Sequence, residues 1–220
     1  MYGERKHTDI IAHSTNGFPT RTGEEFLGFL QALAASPPGG PSPSPIETFL
    51  GAHPAAFKFA TTPKPTPVSF AKEEYFGVNS FKLVDAAGKG TFIRYRIIPD
   101  LGVETLNDEQ VKGKDVDFLQ IELKDRVGSG PVSFKLVAQV ADGDVTDDAT
   151  IPWPDSREIV ELGSVVIDKA LDAEESLKQQ KYIIFDPVPR VAGVEPSEDP
   201  LLEMRAALYL ISGKERRAAP

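Results

Sequence analysis

The chain of 220 residues contains no cysteine. Disulfides, thiolate zinc sites, iron–sulfur clusters and cysteine nucleophiles are therefore excluded. Histidine is scarce: His7, His13 and His53 are the only three imidazoles. No apolar run approaches the roughly 18 residues that a membrane-spanning helix needs. The opening MYGERKHTDII has no basic flank, apolar stretch and small-residue cleavage site in succession, so a cytoplasmic location is the expectation. Cations are in the minority, 24 Lys and Arg against 33 Asp and Glu, for a net charge of −9. That balance argues against nucleic-acid or anionic-membrane partners. Several chemical signatures are also missing. AAGKGT (86–91) is a turn and not a phosphate loop, and GVNSFK (77–82) lacks the G-x-S-x-G context of a serine nucleophile. Asp142, Asp144, Asp147 and Asp148 lack calcium-loop spacing, and Glu24 with Glu25 is a helix-start preference.

What remains is ordinary for a globular protein, with 40% hydrophobic and 26% charged residues. The length permits one large domain or two small ones. HTDIIAHS (7–14) reads as a strand and NGFP (16–19) as a turn. Thr22 is a plausible N-cap for an amphipathic helix with Phe26, Phe29, Leu30 and Leu33 on one face. SPPGGPSPSP (36–45) is a loop, and too little chain precedes it to build a separate core. The periodicity predicts one short helix over 46–61 and a hairpin from 75–85 and 91–100. In the second hairpin strand Phe92, Arg94, Arg96 and Ile98 face one way, and Ile93, Tyr95 and Ile97 the other. A helix over 106–130, strands over 131–142 and 159–171, a helical turn in EESLKQQ and an irregular approach over 182–200 follow.

DPLLEMRAALYLISGKERR (199–217) closes the chain as a helix, with Asp199 able to cap it and Pro200 suited to its first position. Arg205, Tyr209, Ser212 and Arg216 fall within about 40° of one another around its axis. Arg205 and Tyr209, four residues apart, can touch. A guanidinium beside a phenol favours the ionised oxygen, which is a hard ligand for ferric iron. Arg216 could reach a carboxylate of the same ligand. The alternative is a core tyrosine whose hydroxyl rests on a nearby arginine.

The approach segment adds to this pattern. Phe185-Asp186-Pro187, Gly193-Val194-Glu195-Pro196-Ser197, Asp199, Arg205, Tyr209 and Arg216 together resemble the proximal haem motif of the catalase superfamily. TDIIAHSTNGFPTRT (8–22), the hairpin at 75–102 and PWPDSREIVELGSVVID (152–168) are similar to further family segments. The nearest resemblance is to the small catalase-related haem peroxidases.

The resemblance implies an α+β fold: a catalase-like antiparallel β-barrel, flanking helices and a C-terminal haem-ligating helix, in one domain over 1–220. It implies haem b as cofactor, with Tyr209 the proximal iron ligand, Arg205 the partner of its oxygen and Arg216 a propionate partner. It also places Leu201 and Phe18 against the porphyrin, and His13 at the position of the distal asparagine. The implied activity is oxidation chemistry on hydrogen peroxide or organic hydroperoxides, with a small organic electron donor and a homo-oligomeric state. The first barrel strands, and with them the family's distal histidine, have no counterpart here. An open-edged barrel is therefore expected, marginal, oligomeric or dependent on haem. His13 becomes the candidate catalytic imidazole, and a non-catalytic haem-binding or interaction module becomes the alternative function. His7 is expected to be solvated and His53 structural or exposed.

Overall fold

The computed structural model describes residues 7–219. The helices are α1 (Gly23–Ala34), α2 (Pro45–Ala52) and α3 (Pro54–Thr61), then α4 (Asp108–Val111), α5 (Phe118–Ser129), α6 (Ala173–Gln180) and α7 (Pro200–Ala218). The strands are β1 (Tyr75–Phe76), β2 (Phe81–Val84), β3 (Gly90–Pro99), β4 (Val132–Val140), β5 (Ile159–Ile167) and β6 (Val194–Pro196). They form one antiparallel sheet in the order β5-β4-β3-β2-β6, with β1 also paired to β3.

β3 and β4 hold the sheet together because both alternate β-branched or aromatic residues with polar ones. The alternation expected of β3 is realised. Ile93 and Tyr95 join Phe81, Ala138 and Leu202 in one buried cluster, while Arg94 and Arg96 point to the opposite face. A second cluster of Ala71, Val127, Val132 and Phe134 seats α5 on the same sheet. Leu136 pairs with Gly163 and Val137 with Glu161, which leaves Leu162 as a bulge in β5. β5 is the outer strand, and Ile159, Val160, Leu162, Val165 and Val166 on it are 39–56% exposed. Among the described residues the sheet is thus open along β5.

Four expectations need correction. Residues 7–12 carry no strand; His13 alone makes a bridge, to Phe76. The helix expected over 46–61 breaks at His53, because the ring of Pro54 disfavours helical geometry in the residue before it. The helix expected over 106–130 is two helices, separated by the turn around Gly113. The irregular approach to the last helix contains β6, which pairs with β2 through Phe81, Lys82 and Leu83.

α7 begins as its sequence dictates. The Asp199 side chain accepts a hydrogen bond from the Leu201 N–H, and Pro200 occupies the first turn. Leu201 and Leu202 are each 1% exposed. Leu202 enters the sheet cluster, while Leu201 packs with Val78 and Ala149 beside Phe18, Phe76 and Met204. An aromatic ladder runs from His13 through Phe18, Phe26, Phe29 and Phe49 to His53 and ties α1 and α2 to this region.

Candidate functional site

Arg205 lies one turn into α7 and is 7% exposed. Its Nε–H donates to the Tyr209 Oη at 2.9 Å, so the two residues touch as their four-residue spacing predicts. Its Nη1 donates to the Asn79 Oδ1 at 2.7 Å. The Asn79 amide Nδ2 then donates to the Asp199 Oδ2 at 2.8 Å. A continuous chain of hydrogen bonds therefore joins the helix cap to the phenol: Asp199, Asn79, Arg205, Tyr209. Burial raises the Asp199 carboxyl above its ordinary value, although its hydrogen bonds from Leu201 and Asn79 and the nearby Arg94 charge oppose the shift.

Arg94 supports this chain from the sheet. It is 2% exposed, donates to the Ser80 Oγ and to the carbonyls of Ile151 and Asp148, and stacks on Trp153. Burial lowers its guanidinium to about 10, while Asp199, Asp148 and Asp144 pull it upward. The Ser80 carbonyl accepts the Ser197 N–H at 3.2 Å, which fixes β6 and the cap residue to the same anchor.

Further along the helix the surroundings change. Tyr209 is half-buried and Ser212 is exposed. Arg216 is also exposed, and its guanidinium donates to the carbonyls of Gln180 (2.8 Å) and Ile183 (2.5 Å). The stripe read from the sequence is therefore one face with two environments. Its first arginine is buried, and its last is clasped on a neighbouring backbone segment.

His13 is half-buried, and its Nε2 is a buried atom with no hydrogen-bond partner in the structure. Burial lowers its pKa, and the Arg205 charge lowers it further, so the neutral ring is favoured. Its ring centroid lies 6.0 Å from that of Phe18. Phe18 and Phe76 also line a pocket of about 200 Å³ with Lys58, Phe59 and Pro152. Tyr209 does not border that pocket. His53 stacks on Phe49, and its Nδ1 meets the Phe49 carbonyl at 2.8 Å, a structural role. His7 is not the solvated residue expected: it is half-buried, with its Nε2 3.6 Å from Asp9. Among the described residues there is no cluster of three or more His, Asp or Glu suited to a metal ion. No helix among them is long and apolar enough to cross a membrane.

Sequence reasoning missed Asn79 and Arg94. Their partners lie far away in sequence, 126 positions for Asn79 and Arg205. The only local signal is a polar pair, Asn79-Ser80, interrupting an apolar hairpin strand.

An open antiparallel sheet with flanking helices, closed by a helix whose buried arginine donates to a tyrosine oxygen, has the catalase-type fold. The catalase family model matches residues 1–219, and the chain belongs to that family. It is 35% identical over 213 residues to a catalase-related peroxidase of Mycolicibacterium paratuberculosis, covering 95% of this chain and 66% of that one. It is 28% identical over 210 residues to a catalase-related peroxidase of Synechococcus elongatus, covering 92% and 60%. Among solved structures, a fungal catalase superposes with a TM-score of 0.80 at 20% identity, over 95% of this chain and 45% of that one. Catalase A of Saccharomyces cerevisiae superposes with a TM-score of 0.78 at 19% identity, over 93% and 45%. The chain thus spans less than two thirds of the length of these relatives.

Proposed function

We propose that the Arg205–Tyr209 pair holds a haem b, and that the protein is an oxidoreductase acting on hydrogen peroxide or organic hydroperoxides. The observation that carries this reading is the 2.9 Å hydrogen bond from a buried guanidinium to the tyrosine oxygen, in a chain of the catalase family. The residues present fit such a group. The phenol oxygen has a cationic partner and remains half-accessible. The buried His13 Nε2 has no hydrogen-bond partner among the described residues, so a polar group of a bound molecule could pair with it.

When bound, the haem supplies the ferric iron that exchanges electrons with peroxide. The chain's own residues do the rest. Tyr209 would hold the iron through its phenol oxygen, and Arg205 would keep that oxygen in place through its Nε–H. Arg216 has N–H groups beyond the two it spends on Gln180 and Ile183, and these suit a carboxylate side chain of the haem. Phe18 offers apolar surface to the porphyrin, whereas Leu201, expected to do the same, is 1% exposed inside its core cluster and backs Phe18 instead. His13, neutral because it is buried beside Arg205, can take a proton at Nε2 from a peroxide placed within hydrogen-bond reach. The pocket beside Phe18 gives a small organic electron donor room to approach.

The test is an absorption spectrum of the purified chain with one equivalent of hemin, beside its Tyr209→Phe variant. A high-spin ferric, phenolate-ligated spectrum that disappears in the variant supports the site. Peroxide turnover with that spectrum supports the enzyme, whereas the spectrum without turnover identifies a haem-binding module. Free-hemin spectra from both proteins would sink the reading.

A further inference from the structure

Sulfur is scarce in this chain, and its place in the fold has a chemical consequence. There is no cysteine, and Met204 is the only sulfur-bearing side chain among the described residues. It lies on α7 one position before Arg205 and is half-buried. On one side it packs against the cluster of Val78, Ala149 and Leu201. On the other it lies over Gly23, the first residue of α1. A Cβ at Gly23 would sit 2.7 Å from the Met204 Cγ, 3.1 Å from its Cε and 3.3 Å from its Sδ. The missing side chain of Gly23 is therefore what lets the thioether rest against the start of α1.

α1 is otherwise lightly held. None of its residues is buried. Phe26 meets the Phe18 ring at 4.9 Å and Phe29 meets the Phe49 ring at 5.8 Å, but Phe49 belongs to α2, which has no buried residue either. The Met204 contact ties α1 to the helix that carries Arg205 and Tyr209.

A thioether is apolar and adaptable, which suits this seam. Peroxide oxidises it to a sulfoxide, which is polar and larger by one oxygen. We propose that Met204 is a peroxide modification site whose sulfoxide releases α1 from α7. The sulfur lone pair attacks one peroxide oxygen, the O–O bond breaks and an S–O bond forms. Sulfur loses two electrons to the peroxide. The other peroxide oxygen takes up the proton of the transferred one and leaves as water, or as an alcohol from an organic hydroperoxide. The cluster beside Met204 offers only apolar side chains to the new oxygen, so its burial there is costly. The proposal takes its oxidant from the reading above and needs neither haem nor an iron ligand.

The test treats the intact chain, without hemin, with hydrogen peroxide beside free methionine as an internal standard. After quenching, mass spectrometry of the tryptic peptide 191–205 reads the oxidation, and hydrogen exchange of the α1 amides reads the release. The peptide should gain one oxygen while free methionine is consumed. α1 should then exchange several-fold faster, with α5 unchanged. Met204→Leu, a volume-conserving change, should keep α1 protected before and after peroxide. Met204→Gln puts a polar group of similar length in the seam and should show the faster exchange without peroxide.

A Met204 that stays reduced while free methionine is consumed would overturn the proposal, as would oxidation with α1 exchange unchanged. Faster α1 exchange in peroxide-treated Met204→Leu would place the cause elsewhere and refute it too. Should either variant fail to fold, the parent before and after oxidation decides alone. A parent that ignores hemin would refute the haem reading and leave these outcomes as they stand.

Discussion

The two halves of α7 form one continuous helix and have opposite surroundings. In the first, Leu201, Leu202 and Arg205 are buried against the sheet and its buried network. In the second, Leu208, Leu210 and Ile211 are 50%, 62% and 55% exposed. That half is held by Gly213 lying against Ile184 and by Arg216 gripping two carbonyls. Helical propensity does not explain why the second half is exposed, because Leu208, Leu210, Lys214 and Arg216 there are good helix formers too. Tertiary packing does. The phenol sits at the boundary, with its arginine partner on the rigid side. The Arg205–Tyr209 pair is thus anchored at its arginine end in the buried half, and its phenol is left half-accessible.

The largest effect that would break this contrast is a cavity in the first half. Leu202 packs against Phe81, Ile93, Tyr95 and Ala138. Leu202→Ala should cost about 2–5 kcal/mol, the usual range for a buried leucine. Leu208→Ala, on the exposed half, should change stability by no more than about 0.5 kcal/mol. Urea unfolding of the two variants measures the difference directly. Equal losses would show that the second half is packed after all.

A smaller effect probes how the second half is held. Gly213 is buried, and a Cβ added there would meet the Ile184 side chain at 2.6 Å. Alanine gains about 1 kcal/mol of helix propensity over glycine, but overpacking costs about 1–3 kcal/mol. The clash should win narrowly in Gly213→Ala, lifting the 181–185 segment and loosening the Arg216 clasp. Limited trypsin cleavage after Lys181 should then accelerate several-fold. Adding Ile184→Ala should restore the parent rate, since it removes the opposing atoms. Faster cleavage that persists in the double variant would place the cause elsewhere.

These cases mark what the sequence makes legible. The cap at Asp199, the Arg205–Tyr209 contact and the alternation in β3 all depend on neighbours a few residues away, and local spacing encodes them. The break at His53 was also local, but the Phe-rich periodicity of 46–61 masked the effect of Pro54. Asn79, Arg94 and Gly213 could not be read in this way. Each takes its meaning from a partner brought close by folding: Arg205 with Asp199, Ile151 with Trp153, and Ile184. β6 was missed because a three-residue strand has no period of its own and forms only where β2 offers an edge. For Tyr209, the residue and its hydrogen-bond partner were legible in the sequence, but the network that positions that partner was not.

The smallest effect tests how far the buried half's charge reaches. His13 is held below its ordinary value of 6.5 by burial first and by Arg205 second, and Arg216 is not among the causes. The folded protein therefore prefers the neutral ring. The unfolded chain takes up a proton as pH falls through the ordinary value, and the folded chain resists until its lower value is reached. Stability from this residue is thus complete above the ordinary value and is lost as pH falls between the two. The slope is at most that of one proton, about 1.4 kcal/mol per pH unit. Urea unfolding between about pH 5 and 7 should show this loss in the parent and a flatter profile in His13→Asn. Arg205→Met should reduce the slope, because one of the two causes is gone, whereas Arg216→Met should leave it unchanged. If both arginine variants acted alike on the His13 slope, the electrostatic distinction between the two halves of α7 would fall.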